Sequence, residues 1–263
     1  MSEAVLDKKQ IATSFGRAAA TYDQAAAFQR TVGHNLLDRL PDRFHPRQII
    51  DLGCGTGYFT RALAERFDQS VCGLDLAEGM LRYARERSSH GRWAVADAEA
   101  LPLRDASQDL IFSSLALQWC GDLSRALEGA HRALSPGGCL AFNTLLDGSL
   151  SELRAAWSAV DGFVHVNRFM SLTALQQHLC AAGFAVWQCE VERHVLHYDQ
   201  LGELTRELKA IGAHNVNPGR PGGLTGRARL RALTEAYERF RCETKLPATY
   251  EVAQVVLRKG PKP

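Results

Sequence analysis

The sequence predicts an α/β fold in which strands and helices alternate along the chain. The apolar pair Ile49-Ile50 leads directly into the glycine-rich segment 51–57, and a helix is expected to start near Tyr58. Two later apolar stretches end in carboxylates, at Asp75 and at Asp97. Because the carboxyl ends of parallel strands meet at one edge of a sheet, these three strand ends are expected to form one ligand site.

The segment Asp51-Leu52-Gly53-Cys54-Gly55-Thr56-Gly57 is typical of a loop that cradles a nucleotide. Glycine permits a tight turn and a close approach of ligand, and the next helix offers unpaired N–H groups. Such a loop alone also fits a dehydrogenase or a plain tight turn. The dinucleotide fingerprint, however, separates its second and third glycines by two residues, whereas these glycines alternate. A ligand without phosphate, such as S-adenosylmethionine, fits better, and Asp51 can order its ammonium group.

The next strands add ligand-facing groups in order. Asp75 ends the strand Val71–Leu74, where it can accept hydrogen bonds from ribose hydroxyls. The third strand, residues 92–98, ends at Asp97, which can accept from an adenine amino group while Ala98 offers its backbone. Taken alone, a strand-terminal Asp is more often a turn former or a helix cap.

The fourth and fifth strands complete the predicted core. Residues 110–114 form an apolar strand that ends at Ser114, and its carboxyl end is expected to face the reactive methyl group. Pro136-Gly137-Gly138 is expected to close a helix and to open the fifth strand, residues 139–145.

These elements resemble the class I S-adenosylmethionine-dependent methyltransferases over roughly residues 45 to 147. The resemblance implies a Rossmann-like, mostly parallel seven-stranded sheet with helices on both faces. It also implies that the loop 51–57 holds the methionine part, that Asp75 holds the ribose, and that Asp97 and Ala98 recognise adenine. Leu76 and Met80 are expected to pack on the adenine ring, although core packing is an alternative for Met80.

Length and composition fit one compact enzyme domain. The chain has 263 residues, of which 46% are hydrophobic, and its net charge is only +2. We see no stretch that could span a bilayer and no secretory leader, so we expect a cytosolic protein without a membrane partner.

Seven spaced cysteines without a CxxC pair indicate free thiols. His194 and His197 point to opposite faces of an apparent strand, which argues against a metal site.

The second half divides into two final strands and an intervening lid. The predicted domain plan is a helical cap (1–44), a cofactor-binding core (45–147), lid insertions (148–184 and 199–245) and final strands (185–198 and 246–259). The lid helices are expected at 151–160, 172–182, 200–211 and 228–240. Methyltransferases of this fold usually place acceptor specificity at this edge, so the acceptor is expected among these helices and the amino terminus.

A second, narrower resemblance covers nearly the whole chain. The motifs are Phe15-Gly16-Arg17-Ala18-Ala19-Ala20-Thr21-Tyr22-Asp23 with Gln29, then residues 115–119, 211–226 and 246–252. They resemble the malonyl-acyl carrier protein O-methyltransferases of biotin synthesis. That resemblance implies that the free carboxylate of a malonyl thioester, carried on acyl carrier protein or coenzyme A, receives the methyl group. The carboxylate is ionised at pH 7 and needs no general base, so catalysis rests on placement and on exclusion of water.

Several side chains are expected to serve that reaction. Phe15 and Tyr22 are expected to close over the cofactor, with Tyr22 donating to the acceptor carboxylate, and Gln118 and Trp119 to enter the site from the fourth strand. Guanidinium groups grip carboxylates in a planar fork, so the candidates for holding the malonyl carboxylate are Arg17, Arg168 and Arg220. The sequence does not rank them.

A basic stretch suggests where a carrier protein docks. Between residues 206 and 241 there are eight Arg or Lys residues and three Glu. Such a face is usually solvated helix surface, but it can also attract an acidic acyl carrier protein through Arg206, Lys209, Arg227, Arg229 and Arg231. Nucleic acid is not expected as a partner.

Two other functions stay open. One is a methyltransferase for a small dicarboxylate or a quinone precursor, and the other is a protein that binds the cofactor without catalysis.

Overall fold

A seven-stranded sheet forms the centre of the molecule. The computed structural model describes residues 7–88, 91–213 and 226–260. Its strands are β1 (Ile49–Leu52), β2 (Val71–Asp75), β3 (Arg92–Val95), β4 (Gln108–Ser114), β5 (Leu134–Leu145), β6 (Ala185–Tyr198) and β7 (Leu246–Arg258). They lie in the order β3-β2-β1-β4-β5-β7-β6, and only the pairings of β7 with β5 and with β6 are antiparallel. The predicted mostly parallel sheet is confirmed.

Helices cover both faces of this sheet. They are α1 (Lys8–Ala25), α2 (Ala27–Asp38), α3 (Tyr58–Phe67), α4 (Glu78–Arg87), α5 (Leu123–Ala133), α6 (Ser151–Ser158), α7 (Leu172–Ala181), α8 (Leu201–Ala210) and α9 (Arg227–Glu238). Successive strand residues point to opposite faces, so Ile49 packs with α2 and α3 while Ile50 packs with α5 and α7. Both faces of the sheet are therefore buried, as the apolar runs of its strands predict.

The largest differences from the predicted strand boundaries are in the third and fifth strands. The third strand ends at Val95 rather than at residue 98, because Asp97 caps a short 3₁₀ helix, Ala98–Ala100, through Glu99 N. The fifth strand begins at Leu134 rather than at residue 139. Pro136-Gly137-Gly138 lies inside it, because Gly137 and Gly138 still exchange backbone hydrogen bonds with Lys259.

One helix of the predicted lid belongs to the scaffold instead. Leu175 and Leu179 of α7 are buried in the same cluster as Ile111 of β4, and His178 Nδ1 lies 2.8 Å from Ser124 Oγ of α5. This helix therefore covers the sheet rather than the ligand edge. By contrast, α6 packs on α9 and β7, and α8 packs on α1 and β6. Of these helices, α6 and α8 line the cavity on this side of the site, whereas α9 contributes no residue to its lining.

Candidate active site

The loop after β1 holds three glycines in the left-handed region. Their φ angles are +74° at Gly53, +53° at Gly55 and +78° at Gly57. A Cβ on Gly53 would lie 2.2 Å from Ala116 Cβ, and one on Gly57 would lie 2.4 Å from the Trp93 ring. A Cβ on Gly55 would meet nothing within 4 Å. Two of the glycines thus make room for the protein itself, whereas Gly55 faces open space in which a ligand can approach the backbone.

Two buried carboxylates stand at the ends of the neighbouring strands. Asp51 accepts a hydrogen bond from Thr60 Oγ1 (2.6 Å), yet burial raises its pKa to about 7. Asp75 accepts from the backbone N–H groups of Gly55 (2.8 Å) and Ala77 (2.7 Å). Burial raises the pKa of Asp75 as well, although these N–H groups favour its ionised form. Asp75 therefore ties the glycine loop to the start of α4.

A third acidic group closes the far end of the same pocket. Asp97 Oδ2 lies 2.7 Å from Lys8 Nζ, and Glu99 Oε1 lies 2.8 Å from the same nitrogen. Partial burial acts to raise the pKa of Asp97, but the hydrogen bonds from Lys8 and from Glu99 N, together with the nearby positive charges, outweigh it and hold that pKa below its ordinary value. Leu76, Met80 and Ala98 line the pocket beside it, where the sequence predicts adenine.

Helix α1 forms the wall opposite these strand ends. Lys8, Ile11, Phe15 and Tyr22 line the pocket, and they share one face because the helix turns by about 100° per residue. Phe15 contacts Trp119 edge to face, with ring centroids 5.2 Å apart. Ser114 also lines the pocket. Phe15, Tyr22 and Ser114 thus line the pocket in which the sequence predicts the cofactor.

The glycine loop leads into a small polar pocket that the sequence did not assign. Asp51, Asp23 and Arg30 line it together with Tyr22 and Gly55. Thr56 Oγ1 donates to Asp23 Oδ1 (2.7 Å), and Arg30 Nη1 donates to the backbone oxygen of Asp23 (2.6 Å). An amino-acid tail needs a carboxylate for its ammonium group and a cation for its carboxylate. Asp23 belongs to the amino-terminal family motif, but nothing in its spacing reveals that Arg30 lies beside it.

A larger cavity lies on the lid side of the same wall. It shares Phe15, Tyr22, Leu115 and Trp119 with the cofactor pocket. The remaining lining is mostly apolar and comes from α2, α6, α8, β7 and the segment after α6, including Phe28, Leu153, Trp157, Val166, Leu208 and Tyr250. We call this space the acceptor cavity, because a group transferred from the cofactor would cross the boundary between the two.

Few polar groups face the acceptor cavity. The amide oxygens of Gln29 and Gln118 are buried without a hydrogen-bond partner among the described residues, while Gln118 Nε2 donates to Leu115 O (2.8 Å). Buried polar atoms without partners are uncommon in folded proteins and mark places where a ligand can supply the missing bond. The structure thus places Gln118 and Trp119 at the acceptor side of the site.

The acceptor cavity also holds a histidine supported by a carboxylate. His165 Nε2 lies 2.7 Å from Asp161 Oδ1, and its ring stacks on Trp157 with centroids 3.6 Å apart. Lys209 also lines the cavity, and the described lining contains no Asp or Glu. Sequence reasoning missed His165, since a single His after a lid helix carries no spacing signal.

The predicted carboxylate-binding arginines are not brought together. Arg17 is exposed and lines a separate groove, because it lies two residues, or about 200°, away from Phe15 around α1. Arg168 is exposed and is absent from the cavity lining. Arg220 lies outside the described residues, as do the motif segments 214–225. The structure therefore gives Arg17 and Arg168 no contact with the acceptor cavity.

The predicted docking cations fall into two groups. Arg206 and Lys209 lie on α8 and line the groove that also contains Arg17. Arg227, Arg229 and Arg231 lie on α9, where Arg229 Nε is 3.7 Å from Asp161 Oδ2 and Arg231 Nε is 2.9 Å from Glu235 Oε1. The basic stretch is thus not one continuous face.

The cofactor pocket fits the S-adenosylmethionine that the sequence predicts. Its lining combines residues of the glycine loop with apolar side chains such as Leu76 and Met80. Asp75, Asp97 and Glu99 offer hydrogen-bond acceptors for hydroxyl and amino groups, and open space adjoins Gly55. Residues 7–88, 91–213 and 226–260 contain no cluster of metal-ligating side chains and no helix able to cross a membrane, and their cysteines are free.

Comparisons with known proteins agree with this geometry. Residues 50–142 match the family model described as a methyltransferase domain. The chain is 43% identical over 259 residues to a malonyl-[acyl-carrier protein] O-methyltransferase of Hahella chejuensis, covering 97% of this chain and 92% of that protein. It is 48% identical to the biotin biosynthesis bifunctional protein BioHC of Cellvibrio japonicus, covering 97% of this chain but spanning only about half (51%) of that relative.

Solved structures support the fold. An S-adenosylmethionine-dependent methyltransferase from Mesorhizobium loti superposes with a TM-score of 0.52 at 25% identity, covering 86% of this chain and 96% of that one. The YcgJ protein of Bacillus subtilis superposes with a TM-score of 0.63 at 17% identity, covering 89% and 99%.

Proposed function

Because this chain belongs to the malonyl-[acyl-carrier protein] O-methyltransferases, we propose that it methylates the free carboxylate of a malonyl thioester carried on acyl carrier protein, an early step of biotin synthesis. It is a methyltransferase whose cofactor is S-adenosylmethionine. When bound, that cofactor supplies a methyl group on a sulfonium sulfur, and transfer of the methyl group to a carboxylate oxygen yields the ester and S-adenosylhomocysteine.

One observation carries the choice of acceptor. The acceptor cavity meets the cofactor pocket at Phe15, Tyr22 and Trp119, and its described lining contains the cation Lys209 but no carboxylate. Lys209 therefore favours an anionic acceptor, while the apolar remainder of the wall excludes water from the anion. A desolvated carboxylate has fewer competing hydrogen bonds and is held ready for in-line attack.

Tyr22 is proposed to orient the acceptor. It lines the cofactor pocket, the acceptor cavity and the small polar pocket. Burial, assisted by the nearby carboxylates Asp75 and Asp23, raises the pKa of its phenol, so the hydroxyl stays protonated and can donate. Gln118 and Trp119 are proposed to complete this wall, Gln118 by hydrogen bonding and Trp119 by apolar contact.

The variant Tyr22→Phe tests that role. Loss of one donor to a charged acceptor is expected to lower kcat by about ten- to a hundredfold, while the affinity for S-adenosylmethionine changes by less than about twofold. Steady-state kinetics and calorimetry measure the two quantities. If the affinity for the cofactor falls and kcat does not, Tyr22 acts on the cofactor and not on the acceptor.

The acceptor itself is tested with labelled S-adenosylmethionine. We expect an alkali-labile methyl ester when the protein is incubated with malonyl-acyl carrier protein, and none with free malonate or with quinone precursors. The proposed acceptor is rejected if free malonate or a quinone precursor becomes labelled. It is also rejected if no carboxylate becomes labelled. Restoration of biotin-independent growth in a strain that lacks this step tests the biological role.

A further inference from the structure

A groove between α1 and α8 carries an excess of positive charge, which Asp7 offsets in part at Lys9. Its lining includes the exposed cations Lys9, Arg17, Arg206 and Lys209, together with polar residues of α1 such as Gln10 and Thr13, and no carboxylate. None of the four cations forms an ion pair with a carboxylate of the described ranges. We call this surface the basic groove.

The basic groove differs in this respect from α9. There, Glu235 pairs with Arg231, and Asp161 lies near Arg229, whose guanidinium also sits over the Phe163 ring at 5.6 Å. The neighbouring carboxylates reduce the field that a distant anion would meet at α9. In the basic groove, Arg17, Arg206 and Lys209 have no carboxylate partner among the described residues, so their attraction for an anion is reduced less.

Position links this groove to the reaction. Lys209 lines both the basic groove and the acceptor cavity. Helix α8 is held against α1 at this place, since Thr21 Oγ1 donates to Ala210 O (2.9 Å) and Ser14 Oγ donates to Gly212 O (3.0 Å). An elongated substrate can therefore have one end in the apolar cavity and an anionic group in the basic groove, with Lys209 between them.

We propose that the basic groove binds the phosphodiester that joins the pantetheine arm to acyl carrier protein, and that the arm enters the acceptor cavity past Lys209. This assignment rests on the proposed function. A carrier-bound malonyl group has the matching chemistry, with a small acyl end, a flexible arm and one phosphodiester at the protein end. Arg17 and Arg206 suit this group because guanidinium binds phosphate oxygens through paired hydrogen bonds.

Binding of two forms of the carrier protein tests the proposal. Apo-acyl carrier protein lacks the arm and its phosphodiester, whereas the holo form has both. The double variant R17Q/R206Q is expected to bind the holo form about tenfold more weakly than the unchanged protein and to lose most of its preference for holo over apo. The matched control is R43Q/R104Q, which removes the same charge from exposed positions on the connections that enter β1 and β4, at the opposite edge of the sheet.

Three results would overturn the assignment. If R17Q/R206Q weakens the holo and apo forms by the same factor, the groove provides only general attraction for an acidic protein. If it weakens neither, the groove has no part in docking. If it weakens coenzyme A binding but leaves the preference for holo over apo intact, the groove serves free coenzyme A instead. Equal unfolding midpoints for both double variants will show that folding does not cause the effect.

Turnover supplies a readout that separates this proposal from the proposed function. For R17Q/R206Q, KM for malonyl-acyl carrier protein is expected to rise about tenfold, while KM for malonyl-pantetheine, which has no phosphate, stays unchanged. An equal rise for both substrates contradicts the groove assignment. If the unchanged protein methylates no malonyl thioester, the proposed acceptor is wrong, and the comparison of holo with apo carrier still decides what the groove binds.

Discussion

The cofactor pocket and the acceptor cavity are built in different ways although they share a wall. The cofactor pocket is made by consecutive strand ends, and its key carboxylate, Asp75, is held by backbone N–H groups of Gly55 and Ala77. The acceptor cavity is assembled from side chains of α1, α2, α6, α8 and β7 that are far apart in the chain. A pocket formed by a local backbone arrangement tolerates few substitutions. In a cavity lined by side chains from distant parts of the chain, single substitutions can change which ligand is bound.

The largest expected effect tests the backbone character of the cofactor pocket. In Gly55→Val, a branched side chain would occupy the open space beside the loop at a φ of +53°, which Val rarely adopts. We expect the affinity for S-adenosylmethionine to fall by more than about a hundredfold, since steric exclusion adds to strain of roughly 1–3 kcal/mol. Calorimetric titration measures it.

Gly183→Val is the matched control for that variant. Gly183 also has a positive φ (+74°), and a Cβ there would meet nothing within 4 Å, but it lies in the turn between α7 and β6. Its substitution should lower the free energy of unfolding and leave cofactor affinity intact. If both variants lose affinity for the cofactor to the same extent, backbone strain explains the effect and not a clash with the ligand. The contrast between the cofactor pocket and the acceptor cavity would then be weaker.

A smaller effect concerns the charge of Asp51. Burial raises its pKa to about 7, so the fraction of Asp51 that is ionised falls as the pH drops below that value. The ionised carboxylate attracts the ammonium group of the cofactor, so affinity should decrease about tenfold between roughly pH 7.5 and pH 6. In Asp51→Asn this pH dependence should disappear. If the pH dependence of cofactor affinity persists in Asp51→Asn, another group is responsible for it, such as Asp75.

The smallest expected effect belongs to the acceptor cavity. His165→Gln replaces one polar group of a scattered set, so KM for the malonyl acceptor should rise by about three- to tenfold while cofactor affinity stays constant. The control is His178→Gln, since His178 is also hydrogen-bonded, to Ser124, but lies in the scaffold. Parallel losses of acceptor and cofactor binding in His165→Gln would mean that the two regions are not separable.

The same difference explains what the sequence could predict. Asp75 lies at a strand end beside the glycine loop, so its position follows from the order of motifs along the chain. The place of Arg17 depends instead on which face α1 turns towards the pocket, and the register of a helix against distant elements cannot be read from a short motif. His165 and Arg30 reach their sites through tertiary packing alone, and they were missed for that reason. Helix α7 was misplaced because an apolar helical pattern does not say which surface it covers.

The ion pairs of Lys8 have a consequence for the rate of exchange. They tie the first turn of α1 to Asp97 and Glu99 across the adenine end of the pocket. S-adenosylhomocysteine must leave before another S-adenosylmethionine can bind, and α1 forms one wall of the pocket that holds it. Tight closure therefore retains the cofactor during reaction but slows the departure of the product, so turnover is expected to be limited by product release whenever methyl transfer is fast. Helix α1 therefore completes the site and also influences how fast the product leaves it.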